Sequence, residues 1–151
     1  MLESDARAIL RQMQADPTLN VPELAERVGM SAAQVTRRVD KLMDDGVLLG
    51  QEAVIDWAAL GFSVHVSLRI TLDKTQARAF DEFLAAARDV PEVLEIQTFL
   101  GRVDVRLSLV ARDLAHYQEV YRSQVLNLPH IADIEALMDV SNVKSVMRVP
   151  L

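Results

Sequence analysis

Along the first fifty positions apolar residues return every third or fourth place, and beyond them the period shortens to two. Ile9, Leu10 and Met13 fall on one face of a first helix that Ser4 is placed to cap. Asp16-Pro17-Thr18 ends it, because proline disfavours helix in the residue before it. Asn20-Val21-Pro22-Glu23 predicts a second start, with an Asn cap, an early proline and Glu at the capping-box position. Leu24, Ala25 and Val28 form its stripe, and Gly29 stops it by accepting a positive φ. Ser31 then caps a third helix in which Val35, Val39 and Leu42 step by four and three, closed by Asp44-Asp45-Gly46. Val47-Leu48-Leu49 and Ala53-Val54-Ile55, on either side of Gly50-Gln51, predict a short hairpin, and Trp57 to Gly61 a connector.

From Phe62 the alternation is clean. Phe62, Val64, Val66, Leu68 and Ile70 interleave with Ser63, His65, Ser67 and Arg69, the pattern of a strand buried on one face. Asp73 is expected to cap a helix bearing Phe80, Phe83, Leu84 and Ala87. A strand from Val93 to Leu100 follows, then a Gly101-Arg102-Val103 turn and a strand with Val103, Val105, Leu107 and Leu109 inward and Asp104, Arg106 and Ser108 outward. Asp113 caps a helix carrying Leu114, Tyr117 and Tyr121, and a last strand runs from about Ile134 to Val143. The order βαββαβ is that of a ferredoxin-like sandwich. The expected class is α+β, with a helical domain over 1–56, a hairpin and linker reaching about 61, and a sandwich domain over 62–151.

Composition narrows the chemistry. The 151 residues hold no cysteine, which removes disulfides, thiol nucleophiles and cysteine-ligated zinc or iron–sulfur sites. No apolar run approaches the ~20 residues that span a bilayer, and Met1 to Asp5 lacks the regions of a signal peptide, so a cytoplasmic protein without a membrane partner is expected. His65, His116 and His130 fall on separate elements, and no metal-ligand spacing or cofactor motif is present. The formal charge of −6 argues at first against nucleic acid, because counterion release rewards basic surfaces.

The third helix answers that objection locally. Two short helices joined through Gly29 make a helix-turn-helix pattern, with the small Ala25 four residues before the glycine where the helices cross. Stepping about 100° per residue from Val35, Val39 and Leu42 puts Ala33, Arg37 and Lys41 on the outer ridge. Gln34 and Arg38 flank that ridge, with Thr36 on the other shoulder and Ser31 at the leading end. Small residues leading an Arg-rich ridge can approach the major groove of double-stranded DNA. Arg suits guanine edges bidentately, while Lys and the flanking Arg suit phosphates.

Glu23 to Ser31, Val35-Thr36-Arg37-Arg38-Val39, Leu42 and Gly46-Val47-Leu48 together resemble the Lrp/AsnC family of transcriptional regulators. Leu2, Asp5, Ile9, Leu10, Ala53, Asp56 and Leu60-Gly61 fit the same pattern, as do Pro91-Glu92-Val93, Gly101-x-x-Asp104, Tyr117 and Leu128-Pro129. Val143-Lys144 and Val149-Pro150-Leu151 extend the resemblance to the end of the chain. It implies a winged helix-turn-helix joined to a ferredoxin-like effector (RAM) domain, in a homodimer that assembles into tetramers or octamers. It also implies operator DNA as partner and an amino acid as effector, with no cofactor and no catalytic residue.

For the effector, the Gly101-Arg102-Val103-Asp104 loop matches the family's Gly-x-x-Asp. Glycine lets backbone N–H groups approach a carboxylate, and Asp104 can hold an ammonium. Leu114, Leu137, Met138 and Asp139 are placed as further walls. An open sheet face of His65, Arg69, Glu95, Gln97, Asp104, Arg106, Glu135, Leu137 and Asp139 suits a wet dimer contact. Two rival readings share the architecture: a sirohaem-decarboxylase-like enzyme, and a DNA-organising protein without an effector. Sirohaem decarboxylases use Arg and His around the tetrapyrrole, and the comparable Phe99 to Asp104 stretch has no histidine.

Overall fold

Capping explains where the helices begin and end. α1 spans Ser4–Ala15, one residue earlier than a Ser4 cap requires: Glu3 is the cap position and makes no side-chain cap bond. α2 (Val21–Val28) opens on a capping box, in which Asn20 accepts from the Glu23 N–H and Glu23 accepts from the Asn20 N–H. Gly29, at φ 70°, closes it with Met30 N–H on Ala25 O and Gly29 N–H on Glu26 O. That pair of bonds is a Schellman ending, which needs a left-handed residue. α3 (Ala32–Asp44) has a second capping box, from Ser31 and Gln34, and ends the same way at Gly46.

The computed structural model describes residues 3–145 and 148–151. Two compact units result, one joining Met1–Val54 to Lys144–Leu151, the other Ile55–Val143. The division differs from a domain running over 62–151, because the end of the chain packs with the helices. Leu151 joins the core of Ile9, Leu10, Leu24, Val35 and Leu42. Arg11 Nε donates to Leu151 O at 2.6 Å, and Gln14 accepts from the Val149 N–H at 2.8 Å.

The expected hairpin over Val47–Ile55 is not formed. Val47 and Leu48 both donate to Leu42 O as part of the α3 ending, and the residues after them pair with no strand. Leu49 and Val54 are 91% and 100% exposed, so an alternating pattern without a surface to bury it builds no ladder here.

The second unit is the expected βαββαβ. It comprises β1 (Val64–Leu72), α4 (Ala79–Arg88), β2 (Val93–Thr98), β3 (Val105–Ala111), α5 (Leu114–Ser123) and β4 (Ile131–Met138). The strands lie in the order β2-β3-β1-β4, every neighbour antiparallel. Phe83, Ala87, Tyr117 and Val120 of the helices close one face over Val66, Leu68, Ile70, Leu107 and Leu109. Several boundaries moved: β2 ends at Thr98, β3 starts at Val105 and β4 ends at Met138, against the expected Leu100, Val103 and Val143. Asp73 accepts from the Thr75 N–H in a local turn and α4 starts later, leaving Phe80 at the rim. β4 begins at Ile131 because His130, at φ 64°, turns the chain and receives the Asp73 N–H on its carbonyl. Among the described residues no helix is long and apolar enough to cross a membrane.

Candidate nucleic-acid interface and ligand site

α3 is anchored by Val35 and Leu42, and presents the opposite ridge to solvent. Ala33, Thr36, Arg37 and Lys41 are all exposed, as the helical stepping requires. Four of the ridge and flanking residues are less free than their chemistry implies. Gln34 is held in the capping box, with the Ser31 N–H on its Oε1 at 2.9 Å, and Ser31 is its partner. Arg38 is half-buried against the start of α1, paired with Glu3 and, at 3.3 Å, with Asp5. Lys41 bonds Asp45 one turn on, at 2.9 Å, which holds its ammonium above the ordinary lysine range. Among the described residues Arg37 makes no ion pair, which leaves it as the ridge's uncommitted guanidinium.

On the sheet's open face the side chains run in rows. Arg106 donates to Glu95 at 2.9 Å and Arg69 faces Glu135 at 3.5 Å. His65 bonds Asp139 through Nδ1, and its Nε2 lies 2.7 Å from Ser108 Oγ. Asp139, His65 and Ser108 thus stand in the order of a hydrolytic triad. β3, however, is an interior strand whose backbone groups serve β1 and β2, leaving none there for an oxyanion. The row ties three strands together. Arg106 Nε is buried with no acceptor in the chain among the described residues.

Asp104 is the main departure from the expected face. It lies just before β3, outside the strand alternation, and is 4% exposed. Its N–H donates to Ile70 O, its carbonyl accepts from the Phe99 N–H, and its Oδ2 accepts from the Leu72 N–H, each at 2.9 Å. Oδ1 lies 2.7 Å from Lys74 Nζ. Burial pushes the carboxyl up, but the Lys74 ammonium and the Leu72 N–H outweigh it and hold it below the usual carboxylate range. Beside this pair opens a cleft of about 440 Å³, walled by Phe80, Phe99 and Leu100.

Within one chain the eight expected effector residues do not meet. Gly101, Arg102, Val103 and Asp104 sit where β1 ends: Thr71 Oγ donates to Arg102 O at 3.0 Å. Leu137, Met138 and Asp139 lie at the other end of β1, opposite Ser67, Val66 and His65. Leu114 follows β3 at that same far end. Four or five residues of strand separate the groups, roughly 15 Å. Lys74 and Phe80 carry no signal in the sequence of a cleft shared with Phe99, because only the β1–α4 crossover brings them to the β2–β3 hairpin.

Comparison with known proteins matches both parts of the chain to known domains. Residues 6–48 match the model of a winged helix-turn-helix DNA-binding domain, and residues 65–149 that of the Lrp/AsnC ligand binding domain. The proline dehydrogenase transcriptional activator of Rhodobacter capsulatus is 31% identical, over 87% of this chain and 86% of that protein. An AsnC family transcriptional regulator from Agrobacterium tumefaciens is 29% identical at a TM-score of 0.89, covering 99% of this chain and 97% of that one. A transcriptional regulator from Neisseria meningitidis, solved as a complex with L-Met, shares the fold. Its TM-score is 0.91 and its identity 23%, covering 99% of this chain and 97% of that one.

Proposed function

The chain belongs to the Lrp/AsnC family of DNA-binding transcriptional regulators, and on that premise we propose that it is a sequence-specific regulator in the cytoplasm whose DNA binding responds to an amino acid. The observation that carries this reading is the presentation of α3. It is capped at both ends, anchored by Val35 and Leu42, and turns Arg37, which makes no ion pair among the described residues, outward behind the small Ala33. In this reading α3 enters the major groove with Arg37 on a base edge and Lys41 on phosphate. Ser31, Gln34 and Thr36 act at its leading end.

The open sheet face supports a homodimer. Arg69 and Arg106, directly opposed at the centre of the face and flanked by Glu135 and Glu95, offer both signs of charge to a two-fold contact. The buried, acceptor-less Arg106 Nε is the kind of atom a second chain satisfies. The split effector residues support a ligand site assembled from more than one chain, with Gly101–Asp104 from one copy and Leu114, Leu137, Met138 and Asp139 from another. A ring of two or four dimers is a natural extension.

The test is recovery of bound DNA from genomic fragments, followed by titration of the recovered operators with a panel of L-amino acids. Binding to a pseudo-palindromic site that one or more amino acids shift is the expected result. Specific operator binding indifferent to every amino acid removes the effector from the reading, and binding with little sequence preference that ignores amino acids leaves a DNA-organising protein.

A further inference from the structure

The cleft beside Asp104 already contains a cation that belongs to the chain. Lys74 reaches it from the β1–α4 crossover, and its Nζ rests 2.7 Å from Asp104 Oδ1. The two partners are held very differently. The Asp104 side chain is 6% exposed and its other oxygen is fixed by the Leu72 N–H, whereas the Lys74 side chain is 66% exposed. A flexible four-carbon stem carries its charged tip, with no other ion pair for Lys74 among the described residues. The carboxylate is therefore a built feature, and the ammonium over it is removable.

Apart from Gln76 and Thr98, the rest of the cleft lining is apolar. Phe80 and Phe99 are 38% and 45% exposed and Leu100 fully so, an unusual grouping of large apolar residues around one buried charge. Such a cleft fits a ligand that has an ammonium at one end and an apolar group a few atoms away. Resting on the effector reading above, we propose that Lys74 is a tethered competitor for the effector's ammonium, and that the effector is an amino acid with an apolar side chain. Binding moves Lys74 Nζ off Asp104 Oδ1, the effector's ammonium takes its place, and the side chain lies against Phe80, Phe99 and Leu100. No charge is left unpaired, because the displaced lysine returns to water or to the effector's own carboxylate. A tethered group competes at high effective concentration, so it sets the effector threshold without altering the site.

Calorimetric titration separates the possibilities. The probes are L-leucine, L-methionine, L-phenylalanine, L-aspartate and 3-methylbutylamine, the last being leucine without its carboxylate. Each is titrated into the full-length wild type, Lys74→Met, Lys74→Gln and Asp104→Asn. Lys74 is exposed, so its variants keep the fold, and Asn at 104 still offers an acceptor to the Leu72 N–H. The amine is expected to bind both Lys74 variants about 3- to 10-fold more tightly than wild type, the loss of a competing surface ion pair. Apolar amino acids are expected to bind wild type in preference to L-aspartate, and all binding to be lost in Asp104→Asn. If wild type binds amino acids through Asp104 but the Lys74 variants bind the amine equally or more weakly, the competitor role is overturned. Preference for L-aspartate overturns the apolar class. If wild type binds no amino acid, or Asp104→Asn binds as well as wild type, the effector site itself is misplaced.

Discussion

Three cations on α3 are not three equivalent groups. Arg37 projects from the ridge without an ion pair among the described residues, whereas Arg38 is clamped by Glu3 and Asp5 at the start of α1. Those carboxylates also sit where the α1 dipole favours negative charge, so the N-terminus of α1 favours the clamp. Arg37→Ala is expected to weaken operator binding by about 1–3 kcal/mol and to relax specificity at one base position. A competition assay with operators altered base by base reads this out, and uniform weakening across them would assign Arg37 to phosphate instead. Arg38→Ala is expected to act mainly on the fold, lowering the melting temperature by the few degrees that ~1 kcal/mol represents in a small domain. A normal melting temperature with operator affinity lost would place Arg38 on DNA.

At the scale of elements, the helical half was legible because its signals are local. Asn20 with Glu23, Ser31 with Gln34, and the glycines at 29 and 46 each set a boundary through groups within a few residues. The strands were legible in number and order for the same reason, since alternation survives errors of two or three residues at the ends. What was not legible depended on partners remote in sequence. Val47–Ile55 has the pattern of a hairpin, but only Leu48 packs on the helical core, while Leu49, Val54 and Ile55 stay exposed. Asp104 reads as an outward strand residue, but lies one position before β3 and ties the β2–β3 turn to the end of β1. Lys74 has no marker at all until the crossover brings it to Asp104. That tie gives the hairpin a pH dependence. Because the folded carboxyl titrates below its unfolded value of about 3.9, its contribution is present in full above that pH and is lost as pH falls through the folded value. Asp104→Asn is expected to melt below wild type at neutral pH by the equivalent of about 1–3 kcal/mol, from weakened bonds to Leu72 and Lys74. The gap should narrow progressively as the pH drops below about 4. A gap constant down to acid pH would mean that the lost contribution was not the carboxylate's charge.

For the molecule as a whole, the acidic balance becomes a constraint on assembly. Residues 1–50 carry six basic and eight acidic side chains, and the remainder ten and fourteen, so neither half is a basic surface. With Arg38 neutralised by Glu3 and Asp5, and Lys41 shared with Asp45, one reading head meets DNA through few free cations. Neutralising about 2–4 phosphates, it would give a salt slope of only about −2 to −4 and weak binding alone. Two heads held by a dimer add their slopes and gain affinity through effective concentration, while the acidic body repels DNA that only one head can grip. Full-length protein on an operator with both half-sites is therefore expected to show a slope of about −4 to −7 in log affinity against log salt. Shuffling one half-site should return the slope toward half that value and cost affinity well beyond tenfold. Equal slopes on the two operators would mean that a single head carries the binding, and the dimeric reading of the charge distribution would fail.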